Sequence, residues 1–175
     1  MSTVTTLGGT YAADPIHSSF GFAVKYQNVS IFRGTLGDVA ATLADGRLEG
    51  TAQVESISIR TPEQFRAHVL SEEFFDAANH PTVTFVSSDL DLREDGTAEA
   101  KGELTIKGIT NPVTATGTWT PPAADVFGST RAHLQLGAVI DRTQWEMNWN
   151  MPLPAGGSAL ANDVTLSVDI ALKQD

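Results

Sequence analysis

The feature that most constrains this chain is an alternation of apolar and polar residues that recurs along its length. Residues 132–140 and 164–172 show it clearly, with apolar side chains at every second position. Side chains of a β-strand point alternately to its two faces, so such a segment has one dry and one wet face. The alternation predicts about eight strands, over 20–26, 32–43, 47–59, 82–92, 98–107, 113–119, 132–140 and 164–172.

Residues typical of turns lie between these segments. Asp45-Gly46 and Asp95-Gly96 are dipeptides that tolerate the positive φ angles of tight hairpins. Asn111-Pro112 and Pro121-Pro122 are expected to interrupt strands, because proline lacks the N–H that a strand ladder needs. Many short strands at even spacing predict an all-β sandwich or barrel.

Residues 62–77 follow a helical pattern instead. Thr61 is a candidate N-cap, Pro62 suits the first helical position, and Gln64 is placed to complete a capping box. Apolar residues four positions apart then share one face. We expect a short helical excursion that covers one end or one side of the barrel.

The composition excludes several classes of function. A length of 175 residues suits a single domain, expected over 10–175 after a tail of residues 1–9. There is no cysteine, which excludes disulfides and thiolate chemistry. The 11 basic and 21 acidic residues give a net charge of −10, which disfavours a nucleic-acid partner. No apolar run is long enough for a transmembrane segment. Because the first residues do not resemble a signal peptide, a cytoplasmic location is expected.

Small residues on the inward faces raise the question of a hollow interior. Ala98, Ala100 and Gly102 share one predicted face, and Ala115 and Gly117 share another. A solid core packs to a density of about 0.74 with interdigitating side chains, which such residues do not supply. Either a cavity remains, or a neighbouring element packs very close. An eight-stranded barrel has room for one small ligand, and an apolar lumen favours an extended hydrocarbon over a sugar or nucleotide.

The stretch 143–163 is rich in tryptophan and methionine. Trp145, Met147, Trp149 and Met151 alternate within it. Long loops without regular structure often act as lids or binding loops, and these side chains adapt well to apolar ligands. The alternative interpretation, a ninth strand or an extension of a strand packed on the core, remains open.

Catalytic and metal-binding motifs are not evident in the sequence. The four histidines (His17, His68, His80 and His133) lack the close spacing of metal ligands, and no nucleophile motif appears, so neither metal nor cofactor is expected. His17 is expected to be structural or to contact a ligand head group. Arg60, Arg66 and Arg142 are candidates for structural ion pairs, and Arg66 is also a candidate for a head-group contact.

Several motifs in order resemble one known family. The similarity is to the YceI-like family. It lies in Asp14-Pro15-Ile16-His17-Ser18 followed by Phe20-Gly21-Phe22, and then in residues 66–76, 80–85 and 102–113. The resemblance covers roughly residues 10–172. It implies an extended, lipocalin-like, eight-stranded antiparallel barrel with a short helical excursion. It also implies binding of polyisoprenoid chains, often by a homodimer.

The leading hypothesis is non-catalytic binding or carriage of an isoprenoid-type lipid, with a quinone or polyprenol tail, in an apolar lumen. One alternative is an enzyme or stress-response effector that acts on an apolar small molecule in the same cavity. Another is a filled barrel that works through its surface. The predicted ligand-binding residues are His17, Phe20, Phe22, Val24, Arg66, Phe74, Phe75, Gly102, Leu104, Gly117, Trp119, Leu134, Leu136, Trp145 and Trp149.

Overall fold

The computed structural model describes residues 3–175. This part of the chain contains eleven strands, one α-helix and two short 3-10 helices. The strands are β1 (Val4–Thr5), β2 (Thr10–Ala13), β3 (Ser19–Tyr26), β4 (Ser30–Leu36), β5 (Val39–Ala44), β6 (Arg47–Gln53), β7 (Thr82–Arg93), β8 (Thr97–Ile106), β9 (Ile109–Ala124), β10 (Thr130–Asp141) and β11 (Leu160–Gln174). The helix α1 is Glu63–Leu70, and the 3-10 helices are Val54–Ser56 and Arg142–Trp145. Of the tail expected over 1–9, residues 1–2 lie outside the described part, and β1 pairs with β7.

Eight of the strands close into a barrel because β11 pairs along both of its edges. The order around the wall is β2, β5, β6, β7, β8, β9, β10 and β11, and each neighbouring pair is antiparallel. The β10–β11 ladder runs from the pair Asp141 and Asp163 to the pair Arg131 and Lys173. An eight-stranded antiparallel barrel, as expected from the sequence, is confirmed.

The wall changes its composition partway along β11. The C-terminal part of β11 pairs with β2, where Leu172 lies opposite Ala13. The first part pairs with β3, where Val164 lies opposite Val24, and β3 then pairs with β4. We call the part walled by β3, β4 and α1 the upper half, and the part walled by β2 and β5 the lower half. The buried apolar side chains form one cluster in each half.

The single strand expected over 32–43 is wrong, because the chain passes there from the upper to the lower half. β4 ends at Leu36 and β5 begins at Val39, and both residues are buried. The Ser56 hydroxyl accepts the Asp38 N–H at 3.0 Å, which satisfies a backbone donor at the break. The two strands have different neighbours, β3 for β4 and β2 and β6 for β5.

The hairpin turns at Asp45-Gly46 and Asp95-Gly96 are confirmed, with positive φ angles of 73° at Gly46 and 87° at Gly96. The two proline-containing dipeptides do not interrupt strands as expected. Both lie inside β9. Pro121-Pro122 sits at a bulge, where the pairing of β10 steps from His133 to Arg131. A bulge tolerates residues that cannot donate to the ladder.

The helix expected over 62–77 is shorter in the structure. It covers Glu63–Leu70 only, and turns follow it. Pro62 occupies the N-cap and no side chain caps the helix, so the capping box expected from Thr61 and Gln64 does not form. Proline has no side-chain acceptor for that role. Within residues 3–175, no helix is long and apolar enough to span a membrane.

The stretch 143–163 contains no ninth strand in the described structure. After the 3-10 helix it continues as an irregular segment, residues 146–159, which we call the upper loop. Asn150 fixes this loop, because its Nδ2 donates to the Leu160 carbonyl at 2.6 Å and its Oδ1 accepts the Leu160 N–H at 2.9 Å. The irregular course is confirmed for residues 146–159, whereas residues 160–163 extend β11 beyond its expected start at Val164. A role of the loop in binding stays a prediction.

The link between β2 and β3 carries a network of ion pairs. His17 Nδ1 lies 2.8 Å from Asp14 Oδ2, and Arg131 Nη1 donates to the same oxygen at 3.0 Å. Arg131 Nε also donates to Asp125 Oδ2 at 2.7 Å. The hydrogen bond from His17, followed by that from Arg131, lowers the pKa of Asp14 from its ordinary 3.8 to about 2. The network therefore ties this link to β10 through charged hydrogen bonds.

Asp14→Asn should destabilise the protein above pH 4 and make little difference near pH 2. A carboxyl whose pKa is depressed in the folded state stabilises that state above its unfolded pKa, and the benefit is lost as the pH falls from about 4 to about 2. Urea unfolding midpoints of both proteins at several pH values would measure this. Asp38→Asn, at an exposed residue of the link between β4 and β5, is the control. A difference between wild type and Asp14→Asn that stays constant from pH 6 to pH 2 would contradict the assignment.

A buried serine completes the β6–β7 ladder. The Ser87 hydroxyl, 5% exposed, accepts the Leu48 N–H at 2.8 Å, next to the bulge in the β7–β8 pairing. Because a buried backbone N–H without an acceptor is costly, this hydroxyl takes the place of a carbonyl.

Ser87→Ala should therefore lower the free energy of unfolding by about 1–3 kcal/mol, the cost of an unsatisfied buried donor. Ser88→Ala is the matched control, because Ser88 is exposed and donates to the Lys101 carbonyl at 3.2 Å at the surface. We expect that variant to stay within about 0.5 kcal/mol of wild type. Chemical denaturation measures both. Equal losses in the two variants would show that the Ser87 hydroxyl is not needed by the ladder.

Candidate functional site

The upper half of the barrel contains a cavity of about 330 Å³. Its volume falls at the lower end of the range typical of small-molecule sites, roughly 300–1,000 Å³. The lining comes from β3, β4, α1, the turns after α1, β8, β10, the 3-10 helix Arg142–Trp145, the upper loop and β11. The lining residues are Phe20, Phe22, Val24, Tyr26, Phe32, Phe65, His68, Val69, Phe74, Phe75, Ile106, Ile140, Arg142, Met147, Trp149, Leu160, Val164 and Leu166. We call this space the upper cavity.

A smaller cavity of about 90 Å³, which we call the lower cavity, lies at the next level of the barrel. It is lined by residues of β3 and of β5 to β11, among them Phe85, Leu104 and Leu136. Phe20 and Leu166 line both cavities, so these two side chains form the partition between them. The interior therefore has two apolar compartments in line and is not filled, contrary to the third interpretation of the sequence.

Aromatic rings border the upper cavity in two contacting groups. Phe32 packs edge-to-face on Phe22 and on Phe65, with ring centroids 5.7 and 5.4 Å apart. In the second group, the His68 ring contacts Phe74 and Trp149, with ring centroids 5.1 and 5.0 Å apart. Edge-to-face contacts in this distance range are favourable beyond their buried area. The rings therefore hold one another in place around the space.

The rim of the upper cavity is marked by residues that both line it and reach solvent. Tyr26 is 38% exposed and Phe65 is 40% exposed. Tyr26 ends β3, and Phe65 lies in α1, which packs beside β4. The upper cavity is thus accessible at the end of the barrel where α1 replaces a paired strand.

Arg142 is a buried basic residue in this lining. It is 3% exposed, yet no ion pair within residues 3–175 includes it, contrary to the expectation from the sequence. Its Nε donates to the Ala161 carbonyl at 2.8 Å, Nη2 donates to the Leu160 carbonyl at 3.3 Å, and Nη1 donates to the Met147 carbonyl. Burial lowers the pKa of Arg142, and the charge of Asp141 acts in the opposite direction.

The remaining polar groups of the lining differ from Arg142 in their partners. His68 Nε2 lies 2.5 Å from Glu73 Oε2, so a carboxylate already faces its ring. The Tyr26 hydroxyl accepts from Gln27 Nε2 at 2.8 Å at the exposed rim. Arg142 is therefore the one buried basic group of the lining without a carboxylate in contact among the described residues.

The structure brings together about half of the predicted site residues. Phe20, Phe22, Val24, Phe74, Phe75 and Trp149 line the upper cavity, and Phe20, Leu104 and Leu136 line the lower one. Their contact with a ligand stays a prediction. The others line neither cavity, and they are His17, Arg66, Gly102, Gly117, Trp119, Leu134 and Trp145.

Each residue outside the cavities has a structural role instead. His17 is in the exposed link between β2 and β3. Arg66 donates to the carbonyls of Glu55, Ile57 and Ile59 on the chain before α1. Trp119 and Trp145 are buried, and their indole N–H groups donate to the Arg93 and Leu104 carbonyls at 2.7 and 3.1 Å. Leu134 packs in the lower cluster.

The two glycines taken as signs of a hollow lumen have another cause. A Cβ on Gly102 would lie 2.3 Å from the Val86 carbonyl oxygen, and one on Gly117 would lie 1.8 Å from the Gln135 carbonyl oxygen. These positions are small because the neighbouring strand approaches closely, which was the alternative left open by the sequence. Large substitutions there would disrupt the wall and cannot report on the lumen.

Some lining residues were missed although their pattern was visible. Ile140, Val164 and Leu166 lie on inward faces that the alternation identified, but nothing in the pattern shows at which level of the barrel they sit. Phe32 and Phe65 could not be found from periodicity, because their place in the lining depends on how α1 packs beside β4. Within residues 3–175, no group of three or more histidine, aspartate or glutamate side chains could hold a metal ion.

Comparisons with known proteins agree with this architecture. The model of the YceI-like domain family matches residues 11–172. A UPF0312 protein of Staphylococcus aureus (strain USA300) is 30% identical over 161 residues, which are 88% of this chain and 91% of the relative. A UPF0312 protein of Pseudomonas savastanoi is 26% identical over 122 residues, 66% of this chain. The match to that relative spans 64% of its length.

Solved structures show the same fold at low sequence identity. BcnA of Burkholderia cenocepacia is similar with a TM-score of 0.71 at 20% identity, over 91% of this chain and 98% of that one. A polyisoprenoid binding domain from Saccharophagus degradans is similar with a TM-score of 0.67 at 10% identity, over 94% and 98%. With the family model matching nearly the whole barrel, from β2 to β11, this chain belongs to the YceI-like family.

Proposed function

We propose that this protein binds a long apolar ligand of the isoprenoid type in the upper cavity, and that it acts by holding the ligand rather than by catalysis. The observation that carries the proposal is the cavity of about 330 Å³ whose lining is almost wholly aliphatic and aromatic. The similar fold of a polyisoprenoid binding domain from Saccharophagus degradans supports the isoprenoid class.

The physical driving force is the burial of apolar surface. Transfer of one CH₂ group from water to an apolar site contributes about 0.8 kcal/mol, so a five-carbon isoprene unit contributes on the order of 4 kcal/mol before losses of ligand freedom. Phe22, Phe32 and Phe75 form a connected aromatic surface along the cavity, with centroids 5.7 and 6.0 Å apart. Such a surface suits a branched, unsaturated chain because it offers contact without requiring hydrogen bonds.

The two compartments set a limit on ligand length. A short chain fits the upper cavity alone, whereas a longer chain has to displace Phe20 or Leu166 to reach the lower cavity. Displacing a packed side chain costs free energy, so each further isoprene unit gains less than the first. The partition therefore acts as a selector for chain length.

The catalytic alternative predicted polar groups that converge in the lumen, for example His17 with an aspartate or a tyrosine. His17 lies outside the cavity, paired with Asp14, so that example does not form. A cytoplasmic location and a homodimer, both expected from the sequence, stay predictions. The proposed binding depends on neither of them.

Ile140→Trp should fill the upper cavity and reduce apolar ligand binding by at least about tenfold, because the indole ring takes the place of roughly one isoprene unit. Native mass spectrometry of protein purified from its own host, and again after addition of farnesol, measures the bound species directly. The wild type should carry an adduct with isoprenoid mass, and the variant should carry much less.

Val139→Trp is the matched control for that variant. Val139 precedes Ile140 in β10, but it faces outward and is 66% exposed, whereas Ile140 is 7% exposed. Circular dichroism confirms that both variants fold. If wild type takes up no isoprenoid, or if both variants lose binding equally, the upper cavity is not the binding site.

Phe20→Ala should shift the preference toward longer chains by joining the two cavities. The ratio of affinity for a polyprenol at least twice as long as farnesol to the affinity for farnesol should rise several-fold. Phe85→Ala is the matched control, because Phe85 lines only the lower cavity and leaves the partition intact. Removal of a buried phenyl ring costs about 3–5 kcal/mol, so thermal unfolding is measured in parallel. An unchanged ratio in folded Phe20→Ala would show that Phe20 does not limit chain length.

A further inference from the structure

A positive charge without a contacting carboxylate lies in the lining of the upper cavity. Arg142 is 3% exposed, and arginine stays protonated in proteins. The nearest acidic residue in sequence, Asp141, directs its Oδ1 to the Thr143 N–H and hydroxyl at 2.9 and 2.6 Å instead. The upper cavity therefore contains a buried charge that the protein leaves without an ion-pair partner.

The hydrogen bonds of Arg142 are also incomplete. A guanidinium group has five N–H donors, and three carbonyls of residues 3–175, those of Met147, Leu160 and Ala161, accept from it. Two N–H groups, one on each Nη atom, then have no acceptor in the described part of the chain. The remaining capacity is that of a donor pair, which suits the two oxygens of a carboxylate or phosphate.

The other basic group of the lining does not share these properties. His68 already has the Glu73 carboxylate at 2.5 Å, and it lies beside Trp149 and Phe74. An anion at that place would meet the charge of Glu73. Within the upper cavity, an anionic group is therefore favoured beside Arg142 and disfavoured beside His68.

We propose that Arg142 binds an anionic oxygen head group, a carboxylate or a phosphate monoester, at the end of the apolar chain that fills the upper cavity. This inference rests on the proposed function and refines it, because it names the polar end of the ligand. A neutral ligand leaves the buried guanidinium without a countercharge in contact, whereas an anion supplies both a contacting countercharge and two further acceptors.

The test compares probes that share one chain and differ in the head group. Farnesoic acid, farnesyl monophosphate, farnesol and methyl farnesoate all carry the same isoprenoid tail. For wild type at neutral pH, at least one anionic probe should bind about tenfold or more tightly than methyl farnesoate, the gain typical of a charged hydrogen-bonded contact. Isothermal titration calorimetry measures all four, and the stronger of the two anions identifies carboxylate or phosphate as the preferred head group.

In Arg142→Met the tenfold preference for anions should disappear. The affinities of the anionic probes should then lie within about twofold of that of methyl farnesoate. Arg66→Met is the matched comparison. Arg66 also donates to three backbone carbonyls, but it does not line the cavity, so its loss should leave the preference for anions intact. Arg142→Lys keeps the charge and should retain part of the preference.

The outcomes separate this inference from the proposed function. If all four probes bind wild type equally well, or if the ester binds best, the head-group assignment is wrong and apolar binding in the cavity stands. If the preference disappears in Arg66→Met and persists in Arg142→Met, the head group lies elsewhere. If none of the probes binds wild type, the proposed function fails and the head-group site fails with it. Because the wild-type series needs no variant, the test holds even if Arg142→Met does not fold.

Discussion

The pairing of β11 with three neighbours is the constraint on which the rest of the structure depends. This strand of 15 residues is about 50 Å long at the usual rise per residue, long enough to serve two different walls on one edge. It pairs with β10 along one side, and with β2 and β3 in succession along the other. Where β2 is the neighbour, the barrel closes through β5. Where β3 is the neighbour, the sheet continues into β4, and α1 covers the remaining opening. The upper cavity lies in the part of the barrel where α1, and not a further paired strand, follows β4 in the wall.

This arrangement explains why the polar groups of the interior are so few and so firmly bound. Trp119 and Trp145 donate to backbone carbonyls, and Ser18 accepts the Ala171 N–H at 3.0 Å. Among the described residues, no buried side-chain nitrogen or oxygen lacks a hydrogen-bond partner. Arg142 satisfies this rule at each nitrogen and still has no carboxylate in contact among these residues. A buried charge without a contacting countercharge is costly. The three carbonyls of the upper loop and β11 hold the guanidinium of Arg142 in place, but they do not neutralise it.

The sequence predicted the faces of the strands well, because alternation is a local property. It predicted the exposed turns at Asp45-Gly46 and Asp95-Gly96 for the same reason. It failed where the answer depends on distant neighbours. The break after Leu36 follows from the change of wall between β4 and β5, and the helix start follows from Pro62 at the cap. Gly102 is small because a bulged neighbouring strand approaches it, which no feature of its own segment reveals.

The level of each residue along the barrel was the information missing from the sequence, and β10 shows why. Leu134, Leu136 and Ile140 share its inward face, and the alternation treats all three alike. Leu134 packs in the lower cluster, Leu136 lines the lower cavity, and Ile140 lines the upper one. Side-chain size does not reveal the level either. Ala98 and Ala100 pack in the lower cluster, whereas phenylalanines surround the larger of the two cavities. The width of the interior at each level depends on how the strands and α1 close the wall. The large aromatic side chains then line the space that this backbone arrangement leaves.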